Sequence, residues 1–178
     1  MNAPSLHRES KVLKKARQHG LAGPEDLEQL AIERGCDYYD LRNVVREGMP
    51  SGPRAPGFTN EELAVALLVP AHRSLLRTRM GAAMLGASGN DPQKVGRMAV
   101  EEDCADLVRH IATCGHQVER DNDFWTALTS ALEGRGGHGD ADDERLPHLT
   151  RFVEMTGISR GKVETQMRWI RPSRQRHE

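Results

Sequence analysis

Glycine and proline residues lie at the ends of a series of short amphipathic segments. These predicted helix ends are the sequence feature that most constrains the fold. Gly20 and Gly35 follow the first two predicted helices, and Pro24 opens the second helix, where its missing N–H is tolerated. Thr59 followed three residues later by Glu62 forms a capping-box pattern before an apolar stripe. We find no pair of alternating-polarity runs joined by Asn-Gly or Asp-Gly, so strands are not expected. The predicted fold class is all-α.

The core of such a fold must come from apolar stripes on helices, because 37% of the residues are hydrophobic and 29% are charged. Consecutive helices joined by short connections favour antiparallel helical hairpins within a multi-helix bundle. Before the C-terminal segment, helices are predicted over residues 6–19, 24–34, 38–47, from 59 onward, 71–85, 92–98, 101–114 and 122–132.

Two stretches rich in glycine and proline, residues 48–57 and 134–139, read as linkers or exposed loops. They divide the chain into an N-terminal helical segment (1–47), a central helical domain (58–133) and a C-terminal segment with a basic tail (147–178). This division is the predicted domain organisation.

The amino-acid composition argues against several classes of protein. A net charge of −1 argues against a protein that coats nucleic acid by charge alone, since phosphate neutralisation carries non-specific binding. Three cysteines without a CxxC pair, and no secretory signal pattern at the N-terminus, predict a reducing cytoplasm. No apolar stretch approaches the ~20 residues that cross a bilayer, so a membrane protein is not expected.

Residues 149–170, LTRFVEMTGISRGKVETQMRWI, resemble the helix-turn-helix of sequence-specific DNA-binding proteins. The resemblance assigns the turn and the inner face of the second helix to four residues: Gly157, Ile158, Val163 and Met167. The sequence departs from the family pattern twice. Val153 stands where a small residue is usual, and Gln166 is polar where the second helix usually presents an apolar residue. An ordinary helical hairpin with a glycine corner is the alternative interpretation.

This resemblance implies which residues would contact DNA. Ser159 would set the N-terminus of the recognition helix, and Arg160 and Lys162 would lie near the groove. The contacts to the phosphate backbone would come from four arginines: Arg168, Arg171, Arg174 and Arg176.

A second helix-turn-helix-like pattern lies at residues 27–45, where Ala31 precedes Gly35 by four positions and apolar residues follow at the family's spacing. The outward residues of its second helix would include Arg42, Asn43 and Arg46, which can reach base edges or phosphates. Two aspartates in the same stretch would bring negative charge close to the phosphates, so a plain corner of a helical bundle remains the alternative.

Cysteine and histidine residues at 104, 110, 114 and 116 raise the question of a metal site. Cys104, Leu107, Ile111 and Cys114 recur at helical spacing, which predicts a buried apolar stripe rather than zinc ligands. The acidic residues 140–144 lack the spacing of a calcium loop and read as a solvated linker. No phosphate loop, GxGxxG, HExxH or nucleophile elbow is present, so neither an enzyme nor a cofactor is expected.

The sequence therefore predicts a DNA-binding regulatory or accessory protein that acts by binding double-stranded DNA, with self-association of copies through the central helices. The alternative is a helical protein-interaction or assembly module, in which the same corners only pack helices. The outer face of the second helix in each motif separates the two, because DNA binding requires that face to be exposed and positive.

Overall fold

The computed structural model of the chain describes residues 9–36, 54–135, 146–159 and 162–172, with the backbone alone described for 156–159 and 162–165. In these ranges seven α-helices precede one β-hairpin. The helices are α1 (Lys11–Gln18), α2 (Pro24–Glu33), α3 (Asn60–Leu68), α4 (Leu75–Leu85), α5 (Pro92–Glu101), α6 (Ala105–Val118) and α7 (Asp123–Leu132). The mostly helical character predicted from the sequence is confirmed.

Side-chain caps explain where these helices begin. Thr59 Oγ1 accepts a hydrogen bond from the Glu62 N–H, while Glu62 Oε2 accepts from the Thr59 N–H, so the predicted capping box is confirmed. Asp91 caps α5 through the Gln93 N–H, with Pro92 in the first turn. Helix α2 ends just before Gly35, which adopts φ +105°, a backbone conformation that residues with a side chain rarely take.

Helix α3 lies at the centre of the bundle. Every residue from Leu63 to Val69 is buried, and α3 packs against α1, α2, α4 and α5. Because α3 is apolar on all sides, it needs neighbours around its whole circumference. The resulting core extends from Val12 in α1 to Ile170 beyond the last strand.

Two predicted helices differ from the observed ones. The break predicted between the helices 92–98 and 101–114 lies a few residues later, because α5 continues to Glu101 and Asp103 adopts φ +56° before α6 begins at Ala105. The helix predicted over 71–85 begins later, since Pro70–His72 forms a short 3-10 turn and Ser74 caps α4 through the Arg77 N–H. The predicted helix 38–47 lies outside the described residues.

The C-terminal helix-turn-helix was a wrong prediction, as was the expectation that the chain has no strands. The segment forms an antiparallel hairpin of β1 (Val153–Ser159) and β2 (Lys162–Trp169), and Gly157 lies within β1. The register pairs Val153 with Trp169 and Met155 with Met167, and an irregularity follows between residues 156 and 158.

Burial explains the hairpin. Val153 and Trp169 are directly opposite each other on adjacent strands, and both are buried. A strand places alternate residues on one face, so the pattern apolar-polar-apolar at Val153-Glu154-Met155 and at Met167-Arg168-Trp169 gives the hairpin one apolar face. Packing of that face onto the bundle overrides the helical spacing of the same residues.

No helix among the described residues is both long enough and apolar enough to cross a membrane.

Glycine at position 115 of α6 provides a test of the helix packing, because a Cβ there would overlap the indole ring of Trp125 on α7. Replacing glycine with alanine inside a helix normally stabilises a protein by about 1 kcal/mol. We expect Gly115→Ala instead to lower the free energy of unfolding by about 1 to 3 kcal/mol through overpacking, measured by urea denaturation. The exposed Gln117→Ala on the same helix is the control and should change it by less than about 0.5 kcal/mol. A stabilised Gly115→Ala protein would contradict this packing.

Candidate interaction surface

Trp169, the last residue of β2, attaches the hairpin to the helical bundle. Its ring centroid lies 4.8 Å from that of Trp125 and 5.5 Å from that of Phe152, and its Nε1–H donates to the Ala82 carbonyl at 3.1 Å. Gly86 leaves room for the indole, since a Cβ there would lie 2.7 Å from Trp169 Cδ1. Both tryptophans of the chain are therefore part of one buried aromatic cluster.

An ion pair reinforces this attachment two residues later. Arg171 Nε donates to the Gly86 carbonyl at 2.8 Å, and both of its terminal nitrogens donate to the carboxylate of Glu119. Burial by itself would raise the pKa of Glu119, but hydrogen bonds from Arg171, Trp125 and Asn122 outweigh it and lower that pKa to about 2. The carboxylate is thus ionised at neutral pH and joins the end of α6 to the end of the hairpin.

The structure separates the residues that the sequence assigned to DNA. Ser159 and Lys162 are register partners at the ends of β1 and β2, so neither lies at a helix N-terminus. Arg171 is half-buried and ion-paired with Glu119 at the end of α6 rather than presented as a phosphate contact. Arg168 is exposed, with its Nε 3.7 Å from Glu154 Oε1. The remaining predicted contacts, Arg160, Arg174, Arg176, Arg42, Asn43 and Arg46, lie outside the described residues.

Two methionines form the exposed continuation of the hairpin's buried face. Met155 and Met167 are register partners one step along the strands from Val153 and Trp169, on the same face. Their exposed fractions are 57% and 45%, so the bundle leaves this part of the hairpin's apolar face uncovered. The sequence had assigned Met167 to the inner stripe of a recognition helix, and its exposure contradicts that role.

A second apolar pair lies on α4, the helix to which the hairpin is attached. Leu75 and Leu76 are 49% and 40% exposed at the first turn of α4. One turn later, Arg79 Nε donates to the Arg151 carbonyl at 3.2 Å, two residues before β1 begins. We call Leu75, Leu76, Met155 and Met167 the leucine–methionine surface.

Basic side chains accompany this surface. Arg73 and Arg151 are exposed next to the starts of α4 and β1, whereas Arg168 lies on the opposite face of β2 from Met167 and is paired with Glu154. Helix α4 contains no carboxylate, and its Arg77 pairs with Glu28 of α2. Arg73 and Arg151 therefore contribute positive charge near the starts of α4 and β1.

Other groups that could support chemistry are enclosed. Burial, together with Glu102, raises the pKa of Cys104 to about 12, and burial also raises the pKa of Cys114, so both thiols stay protonated at neutral pH. The predicted burial of these two cysteines in an apolar stripe is confirmed. His110 Nε2 donates to the Pro147 carbonyl at 2.7 Å. In the ranges that the structure describes, no three metal-ligating side chains come together.

A cavity of about 30 Å³ lies between α1, α2 and the 3-10 turn, against Leu13, Leu27 and His72. Burial, with the nearby Arg77, lowers the pKa of His72, and its Nδ1 has no hydrogen-bond partner. This volume accommodates about one water molecule and is far below that of a small-molecule site.

No protein-family model matches this chain, and no curated protein or solved structure matches it either. Its function must therefore be argued from its own residues.

Sequence reasoning did not single out Met155, Leu75 or Leu76. The alternation at Val153-Glu154-Met155 was available as a strand signal, but it is short and coincides with a helix-turn-helix spacing. No local pattern could show that Leu75 and Leu76 are exposed, because they sit in an apolar-rich helix whose other faces are buried.

The Glu119–Arg171 pair predicts a pH dependence of stability. The pKa of Glu119 is lowered in the folded protein to about 2 from its ordinary value of 4.5, so the folded state binds fewer protons than the unfolded state between these values. This contribution is complete above pH 4.5 and is lost as the pH falls toward 2. The unfolding free energy of the unmodified protein should fall between about pH 5 and pH 3, and we expect this fall to be about 1 kcal/mol smaller in Glu119→Gln. The value is reduced because the ion pair is partly solvated.

Urea denaturation at both pH values measures this difference. The exposed carboxylate of Glu154 offers the matched control, and Glu154→Gln should retain the pH dependence of the unmodified protein. Identical pH profiles for Glu119→Gln and the unmodified protein would show that the pair does not couple the hairpin to the bundle.

Proposed function

We propose that this protein is an interaction module that binds an acidic segment of a partner protein, one that also carries apolar side chains, at the leucine–methionine surface. The observation that carries this proposal is the exposed Met155–Met167 pair on a hairpin that Trp169 fixes to the bundle. Fixed attachment matters because a rigid surface loses less conformational entropy on binding than a mobile one.

Exposed apolar side chains are concentrated on this surface. Among the described residues, five large hydrophobic side chains are exposed, and four of them belong to it. The fifth, Val100, lies on α5. Single exposed apolar residues are ordinary, whereas two exposed pairs on elements joined by the Trp169–Ala82 and Arg79–Arg151 hydrogen bonds support a binding surface.

The charges favour an acidic partner. Arg73 and Arg151 are exposed next to the elements that carry the apolar side chains, and arginine and methionine are both enriched in protein interfaces. Arginine offers paired donors to carboxylates, so acidic residues flanking apolar anchors would complement the surface. The same charges disfavour a second copy in that position, because two arginine-rich surfaces repel each other.

DNA binding is the second candidate. A two-stranded ribbon is one of the elements that the major groove of DNA admits, and Arg168 is exposed on this ribbon. The exposed leucines and methionines favour the protein partner, because phosphate neutralisation requires charge and leaves such side chains without a role. Self-association through the central helices stays a prediction.

A peptide selection tests the leading proposal. We expect the immobilised full-length protein to enrich, from a random peptide library, sequences that combine Asp or Glu with Leu, Ile or Phe. A selected peptide is then titrated by fluorescence anisotropy against Met167→Asp and Leu76→Asp. Each substitution should weaken binding by about tenfold or more, since it places a charge in an apolar contact and repels the acidic peptide.

Val100→Asp is the matched control, because it introduces the same charge at an exposed apolar residue of α5. It should leave the affinity within about twofold, and circular dichroism should confirm that all three variants are folded. Enrichment of basic peptides, or equal weakening by Val100→Asp, would refute the proposal. Concentration-dependent sedimentation that Leu76→Asp abolishes would instead establish self-association.

The DNA candidate has its own readout. If the ribbon binds duplex DNA, the full-length protein should bind a random-sequence duplex at low salt, and Arg168→Gln should reduce the salt slope by about one unit per lost phosphate contact. Met167→Leu keeps an apolar side chain on the same face and should leave duplex binding unchanged. Absence of duplex binding at low salt would remove this candidate.

A further inference from the structure

The sulfur atoms of the described residues differ sharply in exposure. Met155 and Met167 are about half exposed, Met98 is partly buried, and Met80 and Met84 are 1% and 0% exposed in the core. We propose that Met155 and Met167 form a paired oxidation site, at which hydrogen peroxide converts both thioethers to sulfoxides and thereby weakens partner binding. The site itself follows from the hairpin geometry, and its regulatory effect rests on the proposed function.

Cysteine thiolates usually react with peroxide before methionines do. Here Cys36, Cys104 and Cys114 are all buried, and the raised pKa values of Cys104 and Cys114 keep these two thiols protonated. Oxidation requires an accessible sulfur, and for cysteine it also requires the thiolate. Among the described sulfur atoms, the two exposed thioethers are therefore the most accessible targets.

The register brings the two methionines together. Met155 and Met167 are direct partners across the antiparallel strands, and partners of this kind have Cβ atoms about 4.5–5.5 Å apart on one face. Oxidation of both residues therefore modifies a single patch.

The reaction balances with peroxide as the sole co-reactant. A lone pair on the methionine sulfur attacks one peroxide oxygen, so an S–O bond forms while the O–O bond breaks. The sulfur loses two electrons, and the peroxide is reduced to one water molecule. No net proton is released. Methionine sulfoxide reductases reverse the change with electrons from thiols.

A sulfoxide would disrupt the surface because it replaces an apolar thioether with a strong hydrogen-bond acceptor. Docking of apolar partner side chains would then bury the S=O oxygen without a donor, which is unfavourable. The buried face of the hairpin would stay intact, since Val153 and Trp169 hold it to the bundle and contain no thioether.

Peptide mapping by mass spectrometry during a peroxide time course tests the site. In the full-length protein, Met155 and Met167 should oxidise about tenfold faster than the internal controls Met80 and Met84, because exposure governs access to the sulfur. Equal rates, or earlier oxidation of Met80 or Met84, would overturn the assignment of the site.

Binding of the selected acidic peptide to the same samples tests the regulation. Affinity should fall by about tenfold on oxidation and return after treatment with both classes of methionine sulfoxide reductase. The double variant Met155→Leu/Met167→Leu keeps an apolar surface without thioethers, so it should bind the peptide and be insensitive to peroxide. Peroxide sensitivity retained by this variant would overturn the proposal.

The two proposals fail in different ways. If the unoxidised protein binds no acidic peptide, the proposed function and the regulatory effect are both wrong, while the mapping still decides the oxidation site. If the peptide binds with the same affinity before and after complete oxidation of Met155 and Met167, the proposed function holds and the regulation is wrong.

Discussion

The packing of Trp169 against Trp125 is the contact on which the rest of the C-terminal structure depends. An isolated two-stranded hairpin is marginally stable in water, so β1 and β2 require a surface to cover one face. That surface exists because Gly86 leaves space for the Trp169 indole and Gly115 leaves space for the Trp125 indole. Arg171 then fixes the end of the hairpin to Glu119, and Glu119 also accepts a hydrogen bond from the indole Nε1–H of Trp125. One aromatic contact thus joins α4, α6, α7 and the hairpin.

The same attachment accounts for the leucine–methionine surface. The hairpin has one apolar face, and the bundle covers only its first part, so Val153 and Trp169 are buried while Met155 and Met167 are exposed. The exposed methionines are a continuation of the hairpin's own core-facing pattern. Their position beside exposed arginines gives a surface of interface-like composition, and their thioethers make it sensitive to oxidants.

Helix boundaries were predictable where a local interaction determines them. The capping box at Thr59 and Glu62, the glycine stop at Gly35 and the proline start at Pro92 each depend on residues within one turn. The break between α5 and α6 was predicted a few residues too early, because a positive φ at a non-glycine residue such as Asp103 has no reliable sequence signal. The sequence assigned both Arg168 and Arg171 to DNA, but the structure exposes Arg168 and pairs Arg171 with Glu119. This difference could not be predicted, because Glu119 is far from Arg171 in the sequence.

The sequence by itself determined that the chain forms short capped helices and that Cys104 and Cys114 belong to an apolar stripe, because caps and helical periodicity act over three or four residues. Tertiary structure decided the conformation of residues 153–159 and 162–169. These residues carry both a helix-turn-helix spacing and a period-two alternation, and neither local pattern outweighs the other. The bundle selected the strand because an extended conformation places Val153 and Trp169 together on one buried face, with the Trp169 indole against Ala82 and Gly86. Burial of that face, a property of the whole fold, also determined that Met155 and Met167 are exposed.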